Sequence, residues 1–210
     1  SRLAICYDSC VELLGDISLI AANYRQQVAV YLEHQQQYQS AMASQAYAVT
    51  TYLSLLGEMH PHTARAFVKL ARMGRQIGAY EQCQQMLELV LPILKDIQGE
   101  QSSHTLEAIL ELARLLVDVR DYSAALPLAQ TAEDTLGRIW GKNSVLYATA
   151  VGVLGEVYYG MNELDLAATY MTRSHQILED LLEPFDRRLL RSAARAAIAS
   201  TWSLQKAEFS

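Results

Sequence analysis

Apolar residues recur along the chain in two kinds of stretch that alternate regularly. In one representative period they fall three and four residues apart from about Pro61 to Ile77, and again from about Tyr80 to Gln98. This spacing puts the apolar side chains on one face of a helix. Short breaks such as IGAY, VRDY and MNEL separate the two stretches. The pattern therefore predicts an all-α chain built from helix–turn–helix units.

A repeat of 42 residues underlies this alternation. Four glycines mark it, each directly after an apolar run, where a helix commonly ends on glycine. These glycines are Gly15, Gly57, Gly99 and Gly141. The fifth expected place holds Glu183 followed by Pro184, and proline also stops a preceding helix. The repeats are predicted to span residues 16–57, 58–99, 100–141 and 142–183.

Small residues keep the same step and predict where helices approach closely. The first column of small residues consists of Ala29, Ala71, Ala113 and Gly155. The second column consists of Ala41, Cys83, Ala125 and Ala167. A third column, Tyr38, Tyr80 and Tyr122, continues with Leu164. Each period is therefore expected to have the same packing face.

Both ends of the sequence depart from complete repeats. Residues 1–15 have the character of the second helix of a preceding repeat, with an apolar run from Leu3 to Leu14. Residues 185–207 are expected to form a helix that covers the end of the stack, since terminal repeats need such a cap. The chain is interpreted as one repeat domain, residues 1–210, of a longer protein.

Composition narrows the function classes. The chain has 210 residues, four prolines, ten glycines and a formal net charge of −6, so its overall field repels nucleic acid and anionic membranes. No apolar run approaches the roughly 18 residues of a membrane span, and the first ten residues lack the layout of a signal peptide. Three cysteines indicate a reducing compartment, and we expect a cytoplasmic protein.

Catalytic and cofactor motifs are missing from the sequence. It contains no phosphate-binding loop, dinucleotide-binding glycine motif or nucleophile elbow. Cys6 and Cys10 would share a helical face, but no second pair follows at zinc-binding spacing, so burial is the simpler interpretation. His60, His62 and His104 fall in repeated turns. We expect no enzyme activity, no metal and no cofactor.

The segment LGEMHPHTARAFVKLARMGRQIGAYEQCQQMLELVLPIL resembles the 42-residue tetratricopeptide repeats of kinesin light chains. In that family an LG-x-x-HP turn precedes the first helix and a G-x-Y-x-x-A stretch opens the second. The matching residues are Leu56, Gly57, His60, Pro61, Gly78, Tyr80 and Cys83. The resemblance implies a right-handed α-solenoid that binds proteins or peptides on the concave surface lined by first helices. The positions of the light-chain groove asparagines hold Val68, Lys69, Leu110 and Glu111, which implies a different ligand.

Candidate binding residues follow from the resemblance together with helical spacing. In the first helix of the second repeat, four cations lie on one predicted face, and the next repeat has a mainly acidic row. The predicted partner-binding residues are Asn23, Gln26, Arg65, Lys69, Arg72, Arg75, Glu107, Glu111, Arg114 and Tyr159. Arginine offers a bidentate fork to carboxylates. We expect a protein or peptide partner, with an acidic segment as one candidate.

Several alternatives stay open at this point. The cations could be a solvated helix face paired with Glu107 and Glu111 of the adjacent helix. The chain could also be a peptide-sensing regulatory domain of a larger enzyme or transcription regulator, or a scaffold that self-associates through its terminal helices. A basic run, Arg187, Arg188, Arg191 and Arg195, could dock a partner or simply be a solvated cap.

Overall fold

The computed structural model describes residues 18–184 and 186–208, and every regular element among them is helical. We number the helices α1 (Leu19–His34), α2 (Tyr38–Leu56), α3 (Pro61–Gln76), α4 (Tyr80–Gln98), α5 (Ser103–Asp118), α6 (Tyr122–Thr135), α7 (Val145–Gly160), α8 (Leu164–Leu181) and α9 (Arg187–Glu208). A π-helical turn, Leu136–Trp140, continues α6.

Corresponding helices begin 42 residues apart. First helices begin at Leu19, Pro61, Ser103 and Val145, and second helices begin at Tyr38, Tyr80, Tyr122 and Leu164. The bounds predicted for the second repeat agree with α3 and α4 to within one residue. Helix α9 begins at Arg187, again 42 residues after Val145, so it takes the place of a first helix.

A repeated side-chain cap starts each first helix. Ser18, Ser102 and Ser144 each accept a hydrogen bond from the backbone N–H three residues ahead, and His60 accepts one through Nδ1 from the N–H of His62. Such caps satisfy donors that a helix start leaves without an intrahelical partner. Pro61 adds a residue whose fixed φ suits the first helical position.

The turn between the two helices of each repeat needs one residue in the left-handed region. The four residues are Gln36, Gly78, Arg120 and Asn162, with φ values of 59°, 82°, 66° and 64°. Glycine adopts this region freely, asparagine tolerates it, and longer side chains are strained there. Only the second repeat places a glycine at this position.

We expect Arg120→Gly to raise the free energy of unfolding by roughly 0.5–1 kcal/mol. Relief of left-handed strain, about 1–2 kcal/mol, exceeds the added entropy of glycine in the unfolded chain, about 0.4–1 kcal/mol. Urea denaturation followed by circular dichroism measures the change. The matched control is Gly78→Arg, which should lower stability at the equivalent place; an equal response of both variants would contradict the explanation.

The chain divides into two compact units at Glu100, which we describe separately. In unit 1, α1 to α4, one core cluster consists of Ala22, Ala48, Val49, Tyr52, Ala66 and Leu70, and another of Ala29, Ala41 and Met73. In unit 2, α5 to α9, the largest buried side chains include Tyr147, Leu106, Leu110, Leu115, Leu136 and Leu154. The single domain of residues 1–210 stays a prediction.

The two small-residue columns lie where first and second helices touch. All members described here are buried. A Cβ atom added to Gly155 would lie 2.6 Å from Cγ and 3.2 Å from the backbone nitrogen of Met171, and one added to Gly74 would lie 2.6 Å from Sγ of Cys83. Small side chains are therefore a steric requirement of this close packing.

The predictions for the chain ends are tested only in part. The segment Leu3–Leu14 with Cys6, Cys10 and Gly15, and also Phe185, lies outside the described residues. Helix α9 packs on α8, where Leu189 joins Leu178 and Ala148 in one cluster and Ala196 joins Met171 in another. The structure is thus compatible with a terminal cap. Within the described ranges, no helix combines the length and apolar character needed to cross a bilayer.

Candidate functional site

The predicted site residues of unit 1 lie on α1 and α3, the two first helices of that unit. Lys69 donates a hydrogen bond through Nζ to Oε1 of Gln26 at 3.1 Å. Arg72 donates through Nη2 to Oε2 of Glu33 at 2.9 Å. These contacts bring the rows of α1 and α3 together. We call Asn23, Gln26, Glu33, Arg65, Lys69 and Arg72 the α1–α3 surface.

One end of this surface is organised around Tyr52 of α2. The Tyr52 hydroxyl donates to Oδ1 of Asn23 at 2.6 Å, and its ring stacks on His62 with centroids 6.3 Å apart. Burial raises the pKa of Tyr52, while the nearby charge of Arg65 lowers it. Asn23, Tyr52 and Arg65 therefore lie near one another, with the Arg65 guanidinium supplying positive potential.

Arg65 and Arg72 are cations in different electrostatic situations. Among the described residues, Arg65 takes part in no ion pair, and its side chain is half-buried. Arg72 is neutralised by Glu33, with side-chain exposures of 29% and 23%, respectively. A ligand carboxylate would thus find uncompensated charge at Arg65, whereas at Arg72 it would compete with Glu33.

Arg75 departs from the expected row. It is half-buried, and its positive charge acts on Cys83 of α4, where it lowers the thiol pKa against the larger raising effect of burial. Arg75 therefore lies at the α3–α4 contact. The sequence did not identify Glu33 or Tyr52 as site residues. The 42-residue step does point to Glu33, because it occupies in α1 the position that Arg75 occupies in α3.

The predicted site residues of unit 2 have different surroundings. Glu111 of α5 is only 6% exposed and accepts a hydrogen bond from Nη1 of Arg114 at 3.2 Å on the same helix. Glu107 is half-buried, and the Tyr159 ring of α7 is 40% exposed. The predicted acidic row therefore consists of the buried Glu111 carboxylate, which pairs with Arg114 of the same helix, and the half-buried Glu107.

Acidic neighbours compensate some of the C-terminal arginines. Arg195 of α9 donates through Nη1 to Oε1 of Glu156 on α7. Arg188 makes two hydrogen bonds to the carboxylate of Asp186 through Nε at 3.1 Å and Nη2 at 2.8 Å, and this pairing raises the arginine pKa. Arg187 and Arg191 are exposed on the same helix.

A partly buried polar network joins three helices of unit 2. The Tyr147 hydroxyl of α7 donates to Oε1 of Glu133 on α6 at 2.5 Å and accepts a hydrogen bond from Arg173 on α8. Arg173 also lies 3.8 Å from the Glu133 carboxylate. Burial and the adjacent Glu133 raise the pKa of Tyr147 to about 12. Because these three side chains pair with one another, we interpret the network as a structural feature that connects the helices.

We expect unit 2 to lose stability between about pH 10 and pH 12. The folded-state pKa of Tyr147 lies above its ordinary value of 10.0, so the stabilisation is complete below pH 10 and is lost as the pH rises toward 12. The loss should reach roughly 2 kcal/mol. Urea denaturation at pH 9 and pH 11.5 measures it. In Tyr147→Phe most of this loss should disappear, while burial also raises the pKa of Tyr170 and leaves a smaller loss. An unchanged loss would show that other groups cause it.

Metal binding finds no support in the described residues, which contain no group of three potential ligands. Cys83 is completely buried, as expected for a member of the small-residue column. His60 caps α3, and His62 stacks between the rings of His60 and Tyr52. These contacts give both histidines structural roles.

Among the comparisons with known proteins, the one with solved structures gives matches, and these matches show the fold. No family model matches the sequence, and no curated protein matches it either. Among solved structures, BtubC (BKLC) from P. vanneervenii is 19% identical with a TM-score of 0.71, covering 99% of this chain and 83% of BtubC. A Podosopora anserina kinesin light chain-type protein with nearly identical TPR-like repeats is 18% identical with a TM-score of 0.68, covering 91% of this chain and 90% of that one.

A Rap protein in complex with competence and sporulation factor has a TM-score of 0.77 at 14% identity. That match covers 96% of this chain, which spans about half (54%) of the Rap chain. The chain therefore has the fold of tetratricopeptide-like repeat proteins, and the predicted all-α fold of tandem helix–turn–helix repeats is confirmed.

Proposed function

We propose that this tetratricopeptide-like chain is a non-enzymatic scaffold that binds a protein or peptide segment through the first helices of its repeats. The α1–α3 surface is the principal site, and its preferred ligand carries carboxylates. The observation that carries this proposal is the half-buried guanidinium of Arg65, which has no ion-pair partner among the described residues and whose charge acts on Tyr52, the residue hydrogen-bonded to the Asn23 carboxamide. Partly desolvated arginine binds carboxylates more strongly than a solvated charge does.

The neighbouring side chains suit an extended or helical segment. Gln26 and Lys69 supply hydrogen-bonding groups in line with Asn23 and Arg65, while Glu33 next to Arg72 disfavours a carboxylate at the far end. A row of polar groups can form hydrogen bonds to a peptide backbone, while one cation selects an acidic side chain of the same peptide. Of the other predicted residues, Glu107, Glu111, Arg114 and Tyr159 belong to a separate surface in unit 2, and Arg75 contributes through the α3–α4 contact.

The structural relatives support binding as a class of function. The Rap protein was solved with competence and sporulation factor, and the other two relatives share the repeat fold. Because fold alone does not define function, the residues of the α1–α3 surface carry the argument. We place the protein in the cytoplasm because its three cysteines suggest a reducing compartment.

Selection from a random peptide library on the immobilised chain tests this proposal. We expect the enriched peptides to be rich in Asp and Glu, and to be lost when the same selection is run on Arg65→Glu. Enrichment of neutral or basic peptides, or equal enrichment on both proteins, would contradict an acidic ligand at this surface.

A regulatory domain that senses a peptide is a second candidate function. The observation that favours it is the resemblance in fold to a Rap protein solved with a bound factor, together with a chain that spans only part of that protein. A regulatory domain and a scaffold differ in the effect of peptide binding, because binding to a regulatory domain would change the activity of an attached domain. A peptide that binds Arg65 without changing the neighbouring domain would exclude it.

A further inference from the structure

The cap at the start of α3 differs chemically from the caps of α1, α5 and α7. The hydroxyls of Ser18, Ser102 and Ser144 accept hydrogen bonds from backbone N–H groups of their helices at 3.1–3.2 Å. At the equivalent place before α3, Nδ1 of His60 accepts one from the N–H of His62 at 3.2 Å. A hydroxyl keeps its lone pairs at any ordinary pH, whereas an imidazole nitrogen gives its lone pair to a proton in acid. The α3 cap therefore depends on a group that titrates.

The hydrogen bond also defines the protonation state of the His60 ring. A ring nitrogen that accepts a hydrogen bond carries no proton, so the neutral ring must hold its proton on Nε2. The protonated ring donates at both nitrogens, and its Nδ1–H would then face the N–H of His62. Histidine ordinarily changes its charge between pH 5 and pH 8. We therefore expect the cap to be intact at pH 7.5 and to be lost in mild acid.

The surroundings of the cap oppose a positive charge on His60. Free N–H groups at the start of a helix are equivalent to about +0.5 elementary charge. The rings of His60 and His62 are stacked, with centroids 5.4 Å apart and 16° between their planes. Protonation of both rings would place two cations against each other at the positive end of α3. Acid therefore removes the hydrogen bond and adds repulsion at the same place.

Charged or titratable groups also occur on the elements around these two rings. Because a short turn joins α3 to α4, the end of α4 lies toward the start of α3. The groups are Tyr52 of α2, Arg65 of α3, Glu58 in the turn before α3, and Lys95 and Asp96 near the end of α4; α1 contributes the uncharged Asn23, which is hydrogen-bonded to Tyr52. Among the described residues, neither Glu58 nor Asp96 pairs with a histidine. Neither carboxylate therefore offsets charge on the two rings.

We propose that His60 forms a pH-sensitive switch at the start of α3. At neutral pH its Nδ1 caps the helix. In mild acid His60 and His62 gain protons, the cap is lost, and the first turn of α3 opens. Because His62 also stacks on Tyr52, whose hydroxyl donates to Asn23, this opening reaches one end of the α1–α3 surface. The switch depends on the cap alone and not on the ligand proposed for that surface.

Amide exchange with water, measured by NMR on the isotope-labelled chain at pH 7.5 and pH 5.5, tests the switch. The reporter is the N–H of Ala64, which donates to the His60 carbonyl at 3.0 Å and closes the first turn. After correction for intrinsic exchange, we expect its protection to fall about tenfold in acid. The equivalent amides behind the serine caps are internal controls and should change less than twofold. These amides belong to Ala22, Leu106 and Ala148.

His60→Ser is the matched variant because serine occupies this place before α1, α5 and α7. Its Ala64 amide should keep its protection within twofold between the two pH values. His60→Asn, a second cap that does not titrate, keeps the test valid if the serine variant does not fold. Nitrogen NMR of the imidazole at pH 7.5 should show the proton of the neutral His60 ring on Nε2.

Three results would overturn the proposal. The first is a neutral His60 ring that carries its proton on Nδ1, because that nitrogen could not accept the hydrogen bond. The second is protection of the Ala64 amide that stays constant between pH 7.5 and pH 5.5 in the natural chain. The third is an equal fall in the natural chain and in the serine or asparagine variant, because groups other than His60 would then cause it.

Discussion

Arg65→Glu is expected to weaken binding of a selected acidic peptide at least tenfold while leaving the fold intact. The wild-type guanidinium is half-buried and has no ion-pair partner among the described residues, so its charge is available to a ligand. A hydrogen bond to a charged group contributes about 1.5–3 kcal/mol, and tenfold in affinity corresponds to about 1.4 kcal/mol. Reversal also adds repulsion of the ligand carboxylate.

Isothermal titration calorimetry measures this loss, and circular dichroism checks the fold. Lys95→Glu is the control because it makes the same charge change in unit 1 at an exposed residue of α4. Its ion pair with Glu100, at 3.4 Å, has side-chain exposures of 45% and 76%, and such a solvated pair contributes little to stability. We expect less than a twofold loss there. Equal losses in both variants would indicate a general charge effect, and no loss in Arg65→Glu would remove this residue from the site.

Arg72 requires a different design because it is paired. Arg72→Glu alone would set two carboxylates opposite each other at Glu33 and could weaken binding by disturbing α1 and α3. The exchanged pair Glu33→Arg/Arg72→Glu preserves both the net charge and an ion pair between the two helices. We expect this exchanged pair to fold. Its affinity for the peptide then shows whether binding depends on the position of this cation.

Gly155→Leu is expected to lower the free energy of unfolding of unit 2 by about 3 kcal/mol. The backbone of α7 lies so close to α8 at this point that even one added carbon would meet Met171 at 2.6 Å. Overpacking of a tight core costs about 1–3 kcal/mol and occasionally more, which exceeds the gain of up to about 1 kcal/mol from replacing a helical glycine. Leucine adds three further carbons to the same contact.

The control for this variant lies one period later in the sequence. Ala197 occupies the place of Gly155 but is exposed on α9, so Ala197→Leu should change stability by less than about 0.5 kcal/mol. Guanidinium denaturation of both variants makes the comparison. Similar destabilisation in the two would mean that Ala197 is covered in solution, which would contradict this explanation.

Much of the fold follows from the sequence because one 42-residue pattern is repeated. The glycines, small residues and aromatic column fixed the helix pairs, and the observed starts of α3 and α4 match the predicted ones. The left-handed residues in the turns could not be inferred at Gln36 and Arg120, since neither residue type favours that conformation. There the surrounding helices impose the backbone geometry.

The candidate site was predictable only as a set of positions. Helical spacing predicted that Arg65, Lys69 and Arg72 share one face of a first helix, but their partners depend on tertiary contacts that spacing does not specify. Glu33 neutralises Arg72, and the charge of Arg75 acts on Cys83. The burial of Glu111 was likewise not predicted, because a glutamate on a helix face is usually solvated unless it is paired.

Helix α9 shows a different limit of sequence reasoning. Residues 185–207 were expected to cap the stack, and α9 does pack on α8. Its sequence, however, continues the first-helix pattern, and Leu190 and Ala197 are exposed at positions that are buried in the preceding first helices. The same 42-residue step thus identifies both the packing of α9 and the face that it leaves exposed.

The central claim, that the α1–α3 surface binds an acidic segment, is tested most directly by an NMR titration of the labelled chain with a peptide obtained from the selection. We expect the largest chemical-shift changes at Asn23, Gln26, Arg65 and Lys69, and these changes should be lost in Arg65→Glu. Shifts confined to unit 2, or shifts at α1 and α3 that persist in the variant, would contradict it.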